Sequence, residues 1–238
     1  MLAAGSEFTN SAQNVALRAN ASFEEAYKRL SEIDILVIPG GNSEAILKQK
    51  GAQPMTLIKA FAELQKKNPS RERTLMSICT GSFFLAEAGI LAGLSATTHP
   101  NFIVKFENLC SSVVQRDMAE RTDVVEQRYV VNNLRFELGE NEDENPYIRR
   151  KSDGRRTSNA RKGSMSWKES NTRRESILKR SALRLGGLRV VTTSGITAGI
   201  DGALYMIGAL VSDEAAKEVA KTLCHDWAKG MVVDGTDV

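Results

Sequence analysis

Apolar residues in this chain gather into short continuous runs that alternate with longer stretches of helical periodicity. The run from Ile33 to Ile38 in EIDILVIPGG predicts a buried strand, and Pro39 with two glycines predicts a tight turn after it. In QPMTLIKAFAELQKK, Leu57, Ile58, Phe61 and Leu64 recur at helical spacing. Pro54 stands near the start and lysines close the segment, so an amphipathic surface helix is predicted. RTLMSI reads as a second buried strand, and GSFFLAEAGILAG as a helix apolar on nearly every face, hence set deep against the sheet. LSATT predicts a third strand, NFIVKFENL a helix and TDVVEQRYVVNN an extended segment. LRVVTTSG predicts another buried strand. It leads into ITAGIDGALYMIGALV, a helix apolar all round that packs either within the domain or against a second copy. In DEAAKEVAKTLCHDWAKG, Ala216, Val219, Ala220, Leu223 and Trp227 mark one face and Gly230 a stop.

Strands alternating with helices predict an α/β fold, a doubly wound parallel sheet covered on both sides. Ligands in such folds sit at the carboxyl ends of the strands, where Pro39, Gly40, Gly41, Cys79 and His99 all fall. The alternation breaks from about residue 139 to 184, a segment crowded with Ser, Asn, Gly and Arg. Its few apolar residues cannot offset the entropy of ordering it, so a disordered insertion is expected within a single domain spanning 1–238. Such an insertion costs the fold little, because loop-closure entropy grows only logarithmically with length.

Charge sharpens this division. The net charge of +3 averages two dissimilar regions. Between Arg149 and Arg180 there are 12 Lys or Arg against 3 acids, which leaves 20 basic and 26 acidic residues for the rest of a chain holding 32 and 29. A mildly acidic body therefore carries a strongly basic insert. The 42% apolar content fits a globular protein, and 238 residues suffice for a full core. Three widely spaced cysteines lack the density of a secreted disulfide scaffold, which predicts reduced thiols and a cytoplasmic location, with a nuclear one open through the basic insert. The sequence MLAAGSEFTN has neither a basic n-region nor a long apolar stretch, so no signal peptide is expected, and no run is long enough for a bilayer. No zinc-type spacing or Walker motif appears, and the glycines of GITAGIDG lack dinucleotide-fingerprint spacing. No cofactor or metal is expected.

Cys79 lies where a strand turns into a helix. There the first helical amides and the positive helix end favour thiolate over thiol. The N–H of Thr80, with one from Gly41 or its neighbour Asn42 in the adjoining PGG turn, would make an oxyanion hole. The plainer alternative is that Cys79 is inert filler, since free cysteines are among the most buried residues, and that His99 is a satisfied structural histidine. Asp201 is the only charge between Val190 and Ser212, and a lone carboxylate in an apolar helix is either paired or functional.

VIPGGN, SICTGSFFLAEAGILAG, ATTHP and TSGITAGIDGAL, in this order, resemble the ThiJ/PfpI superfamily, which is related to class I glutamine amidotransferase domains and has a flavodoxin-like sheet. The resemblance covers nearly all of the chain outside the insert. It implies that Cys79 is the elbow nucleophile and His99 its partner. The family includes isocyanide hydratases, glyoxalase or deglycase-type enzymes, proteases, chaperones and regulators. Thr80 after the cysteine and the GITAGID block resemble the isocyanide hydratase-like branch, whereas TTHP matches the deglycase-like one. Family members usually begin with a strand and helix bearing an acid that serves the nucleophile. Here MLAAGSEFTNS aligns with the family's second strand, so that unit is missing, an exposed sheet edge is expected, and Glu7 and Glu24 are poor substitutes. Homodimers are common in the family.

Within the insert, RRKS, RRTS and RRES set paired arginines ahead of serine, and RKGS is a looser copy. Ser152, Ser158, Ser164 and Ser176 are thus candidate sites for a basophilic kinase, and four phosphates at about −1.5 to −2 each would nearly cancel the local surplus. A solvated linker with no kinase, or a nucleic-acid contact, would use the same residues. Two functions remain at this stage. One is a cysteine-dependent hydratase or lyase-like enzyme acting on a small electrophile; the other is a non-enzymatic redox or stress regulator with an oxidisable cysteine.

Overall fold

The computed structural model describes residues 3–4, 7–10, 15–49, 53–68, 71–133 and 188–233. In chain order the strands are β1 (Ala3–Ala4), β2 (Phe8–Asn10), β3 (Ala16–Arg18), β4 (Ala21–Ser22), β5 (Ile35–Ile38), β6 (Thr74–Ile78), β7 (Ser95–Ala96), β8 (Asp123–Val124), β9 (Tyr129–Asn133), β10 (Arg189–Thr193) and β11 (Met231–Val233). The helices are α1 (Phe23–Lys28), α2 (Ser43–Leu47), α3 (Gln53–Lys67), α4 (Ser82–Glu87), α5 (Ile103–Asp117), α6 (Ile196–Leu210) and α7 (Asp213–Thr222). The main sheet has the order β11-β9-β10-β6-β5, parallel throughout except where β9 and β10 run antiparallel.

Helices cover both faces, as the alternating pattern requires. Leu75 of β6, Val190 of β10 and Ile38 of β5 point to one face, against Ile58, Phe61, Phe83 and Phe106 of α3, α4 and α5. Met76, Val191, Tyr129 and Val131 point to the other, where they meet Met206 of α6. Period-2 alternation within each strand thus supplies two apolar layers from one sheet.

Some expectations are corrected. LSATT contributes only the two-residue β7, which pairs with β8 outside the main sheet. The Asn132 side chain pairs with the backbone of Ser95 at 2.8 and 3.2 Å and holds β7 there. The helix in GSFFLAEAGILAG stops at Glu87, because Gly89 and Gly93 take positive φ of 72° and 74°. The last helix ends at Thr222, ahead of Cys224 in the left-handed region, and not at Gly230. β5 is an edge strand with Ile35 and Val37 open on one face, where a buried strand is predicted.

Asn133 at the end of β9 pairs directly with Arg189 at the start of β10. Asn133 and Arg189 therefore stand side by side in the sheet, one strand length or roughly 15 Å from the end that carries Cys79. Ser152, Ser158, Ser164 and Ser176 lie outside the described residues.

Asp201 braces the carboxyl end of the sheet. Fully buried on α6, its Oδ2 accepts from Arg128 Nε at 2.8 Å and from Arg128 Nη2. Its Oδ1 accepts from the backbone N–H of Ala228 at 3.1 Å and lies 2.8 Å from Nε2 of His225. One carboxylate ties α6 to the start of β9 and to the segment after α7. Asp201→Ala should lower stability by about 2–3 kcal/mol, below the roughly 3–5 typical of fully buried pairs because Arg128 keeps contact with water. The midpoint of urea unfolding measures it.

Candidate active site at the carboxyl end of the sheet

β6 ends in extended backbone at Ile78, with φ −114° and ψ 132°. The next residue, Cys79, has φ +56° and opens a short 3-10 turn, Cys79–Gly81, that feeds directly into α4. A left-handed non-glycine residue costs on the order of 1–3 kcal/mol and persists only where its surroundings over-determine it. Here they do. The Cys79 carbonyl accepts from the hydroxyls of Ser82 and Thr98, each at 3.2 Å. Gly40 packs so tightly on the bend that a Cβ there would stand 2.8 Å from the Ile78 oxygen and 2.9 Å from both Cys79 Cβ and Thr80 N.

The Thr80 hydroxyl fastens the PGG turn to this bend. It donates to the Gly41 carbonyl at 3.0 Å while accepting from the Gly41 N–H at 3.0 Å and from the Ser43 hydroxyl at 3.1 Å. One donor and two acceptor positions exhaust a hydroxyl, so this group serves structure. The Gly41 N–H is committed to that contact as well. Asn42 is exposed at the cap of α2 and makes no side-chain capping bond. The backbone N–H of Thr80 sits beside Gly40, in space that the missing side chain keeps open.

His99 reaches the same end of the sheet by another route. Thr97 donates its N–H to the Thr192 hydroxyl at 2.9 Å, and Thr98 donates to the Cys79 carbonyl, so the loop is pinned across the bend. His99 follows, half-buried, with its Cδ2 3.8 Å from where a Cβ on Gly195 would lie. Its Nδ1 accepts the N–H of Asn101 at 3.2 Å. The neutral ring consequently carries its proton on Nε2, as a donor.

The three thiols differ. Cys79 is partly exposed, Cys110 buried and Cys224 exposed. Desolvation pushes the Cys110 thiol up to about 11, with a hydrogen bond from Thr122 pulling the other way. Glu7 and Glu24 pair with Arg18 and Lys28 at 3.2 and 2.9 Å. Among the described residues no group of three His, Cys, Asp or Glu side chains gathers to hold a metal. Gly40, Ser43, Ser82 and Thr98 escape sequence reasoning as working parts. The quoted PGG, TGS and TTHP motifs hold all of them except Ser43, yet motif reading ranks the reactive atoms above the hydroxyls that support them.

The model of the DJ-1/PfpI family matches residues 3–138. A curated relative, the Parkinson disease protein 7 homolog of Danio rerio, is 31% identical over 97 residues, which are 41% of this chain and 47% of the relative. The chain thus spans about half the length of that relative. The fold resembles that of a DJ-1 superfamily protein from Salmonella typhimurium, with a TM-score of 0.51 and 14% identity over 94% of this chain and 81% of that one. It also resembles Drosophila melanogaster DJ-1beta, with a TM-score of 0.51 and 16% identity over 93% of this chain and 78% of that one.

The bend has a thermodynamic signature. Cys79→Gly relieves the left-handed strain and Cys79→Ala keeps it, so the glycine variant should be the more stable of the two by about 1 kcal/mol. Elsewhere in a strand or helix glycine is the weaker choice. Paired denaturation curves read the difference.

Proposed function

The chain belongs to the DJ-1/PfpI family, and on that footing we propose that it is a cysteine-dependent hydratase or lyase-like enzyme acting on a small electrophilic molecule. The observation that carries the reading is the left-handed Cys79, partly exposed at the carboxyl end of the sheet, in a bend that costs free energy and is held by several independent contacts. Strain retained in this way at a partly exposed thiol is the signature of a working group rather than of packing.

In the proposed step the Cys79 thiolate adds to an electrophilic carbon of the carbonyl or isocyanide type and an S–C bond forms. The electron pair displaced from the multiple bond develops charge on the substrate atom beside it. The Thr80 N–H stabilises that charge, and Nε2–H of His99 supplies the proton. Because Nδ1 of His99 is already accepting from Asn101, the ring acts as an acid toward substrate and not as the base that deprotonates Cys79. Water then adds its oxygen to the same carbon as the S–C bond breaks, the electron pair returns to sulfur, and one of the water's protons returns to Nε2 of His99.

A second reading is favoured by the pairing of Glu7 and Glu24 with surface cations, which leaves the acid that the resemblance calls for unassigned. In it Cys79 thiolate attacks a peroxide, giving sulfenic acid and releasing hydroxide, and the protein reports oxidant rather than turning over substrate.

Alkylation by iodoacetamide, followed residue by residue against pH, tests the first claim on Cys79. Near neutral pH Cys79 should react fastest and Cys224 at the rate of an ordinary exposed thiol. Cys110 should hardly react, since a thiol that titrates at about 11 is less than roughly one part in a thousand thiolate there. Cys79→Ser abolishes the fast phase. If Cys79 is no faster than Cys224, the nucleophile reading is lost. If it is faster, catalytic turnover of an electrophile supports the enzyme, and one-to-one sulfenate formation without turnover supports the sensor.

A further inference from the structure

A cleft of about 350 Å³ lies between α5 and the segment that enters β8, lined by Glu107, Ser111, Arg121, Thr122, Asp123 and Val124. It shares no residue with the Cys79 site, and its size falls within the range of small-molecule sites, about 300–1,000 Å³. Both walls are fixed by the fold. Glu107 and Ser111 stand one turn apart on α5, so their side chains lie on one face of that helix. Phe106 and Cys110 of the same helix are buried in the core and hold the wall in place. On the other wall the Thr122 hydroxyl donates to the Leu91 carbonyl at 2.8 Å and the Asp123 N–H to the Leu94 carbonyl at 2.9 Å. The Ser95 hydroxyl donates to Asp123 Oδ2 at 3.3 Å. A site carried on two such elements is set before a ligand arrives.

The charges in this cleft behave unlike their neighbours. The other charged side chains of α5 find ionic partners, with Lys105 at 2.8 Å from Glu44 and Arg116 at 2.5 Å from Glu87 and 3.0 Å from Asp117. Among the described residues Glu107 and Arg121 form no ion pair, with each other or with a third group, although they carry opposite charges and line the same cavity. The Ser111 hydroxyl is uncommitted too, whereas that of Ser112 donates back to the Leu109 carbonyl at 2.7 Å. The cleft thus presents a guanidinium, a carboxylate and a hydroxyl whose hydrogen-bonding capacity the protein itself does not use, with the Asp123 carboxylate as a second negative charge beside them.

We infer that this cleft binds a small zwitterion of the α-amino acid type, with Arg121 holding the carboxylate and Glu107 the ammonium group. A guanidinium presents a planar fork that matches a carboxylate, and the three donors of an ammonium can be shared among Glu107, Asp123 and the Ser111 hydroxyl. The mixture of signs selects against simpler ligands. A lone carboxylate would gain Arg121 but face two like charges, and a lone amine would gain the carboxylates but face Arg121. A molecule carrying both charges a few bonds apart meets each with its opposite.

Isothermal titration calorimetry of the full chain with L-serine tests the assignment, with acetate and methylammonium as probes that carry one of the two charges each. The expected result is saturable binding of L-serine with a millimolar dissociation constant, at least about tenfold below that of either single-charge probe. That constant should rise at least about tenfold in Glu107→Gln and in Arg121→Gln, and stay unchanged in Glu218→Gln, an exposed position on α7. Glu107 and Arg121 are both exposed, so circular dichroism should show the fold retained in each variant. No saturation up to about 20 mM, a single-charge probe that binds as tightly as L-serine, or an affinity indifferent to both substitutions overturns the proposal. Cys79→Ser should bind L-serine as the unaltered chain does, which keeps this result separate from the fate of the Cys79 reading.

Discussion

The arrangement at the carboxyl end of the sheet depends on one backbone constraint: the chain must turn left-handed at Cys79 to pass from β6 into α4. Nothing in the residue itself favours that turn. It is imposed from three sides, by the hydroxyls of Ser82 and Thr98 on the Cys79 carbonyl, by Gly40 pressed against the bend, and by Thr80 clamping Gly41. Each contact joins a different part of the chain. The bend is therefore a property of the assembled sheet, and the partly exposed thiol follows from tertiary packing rather than from local preference.

The second organising constraint is electrostatic and lies on α6. A fully buried carboxylate demands partners, and Asp201 finds Arg128, His225 and the N–H of Ala228. The carbonyl of Arg128 in turn accepts from the N–H of Ser194 at 2.9 Å, and α6 begins two residues later, so the brace fixes the start of α6 beside His99. Stability and site geometry share a single buried charge here. Asn133 and Arg189, the described residues nearest the basic segment on the two strands it separates, pair at the opposite end of the sheet.

Much of this was legible in the sequence because buried strands and amphipathic helices write their period directly. Gln53–Lys67 forms the predicted helix over its whole length, and the strand-turn-helix at Cys79 stands where the apolar run meets the Gly-Ser pair. What was not legible depends on partners distant in the chain. A short apolar run such as LSATT cannot declare that Asn132 will hold it out of the main sheet. Nor can the apolar run of β5 show that its Ile35 and Val37 stand exposed on one face. The same limit applies to Gly41, whose N–H reads as a free donor until Thr80, 39 residues away, takes it.

That last contact bears on how the site would discriminate. With the Gly41 amide and the Thr80 hydroxyl both spent on structure, the donors that the proposed reaction would draw on are the Thr80 N–H and Nε2–H of His99. Donors without a fixed cation suit a substrate that is neutral on arrival and becomes negative only as the sulfur adds, because their stabilisation then grows with the reaction instead of being realised on binding. A molecule already carrying a carboxylate would gain as much in the ground state as at the barrier, and the same two donors would hold it without speeding its conversion.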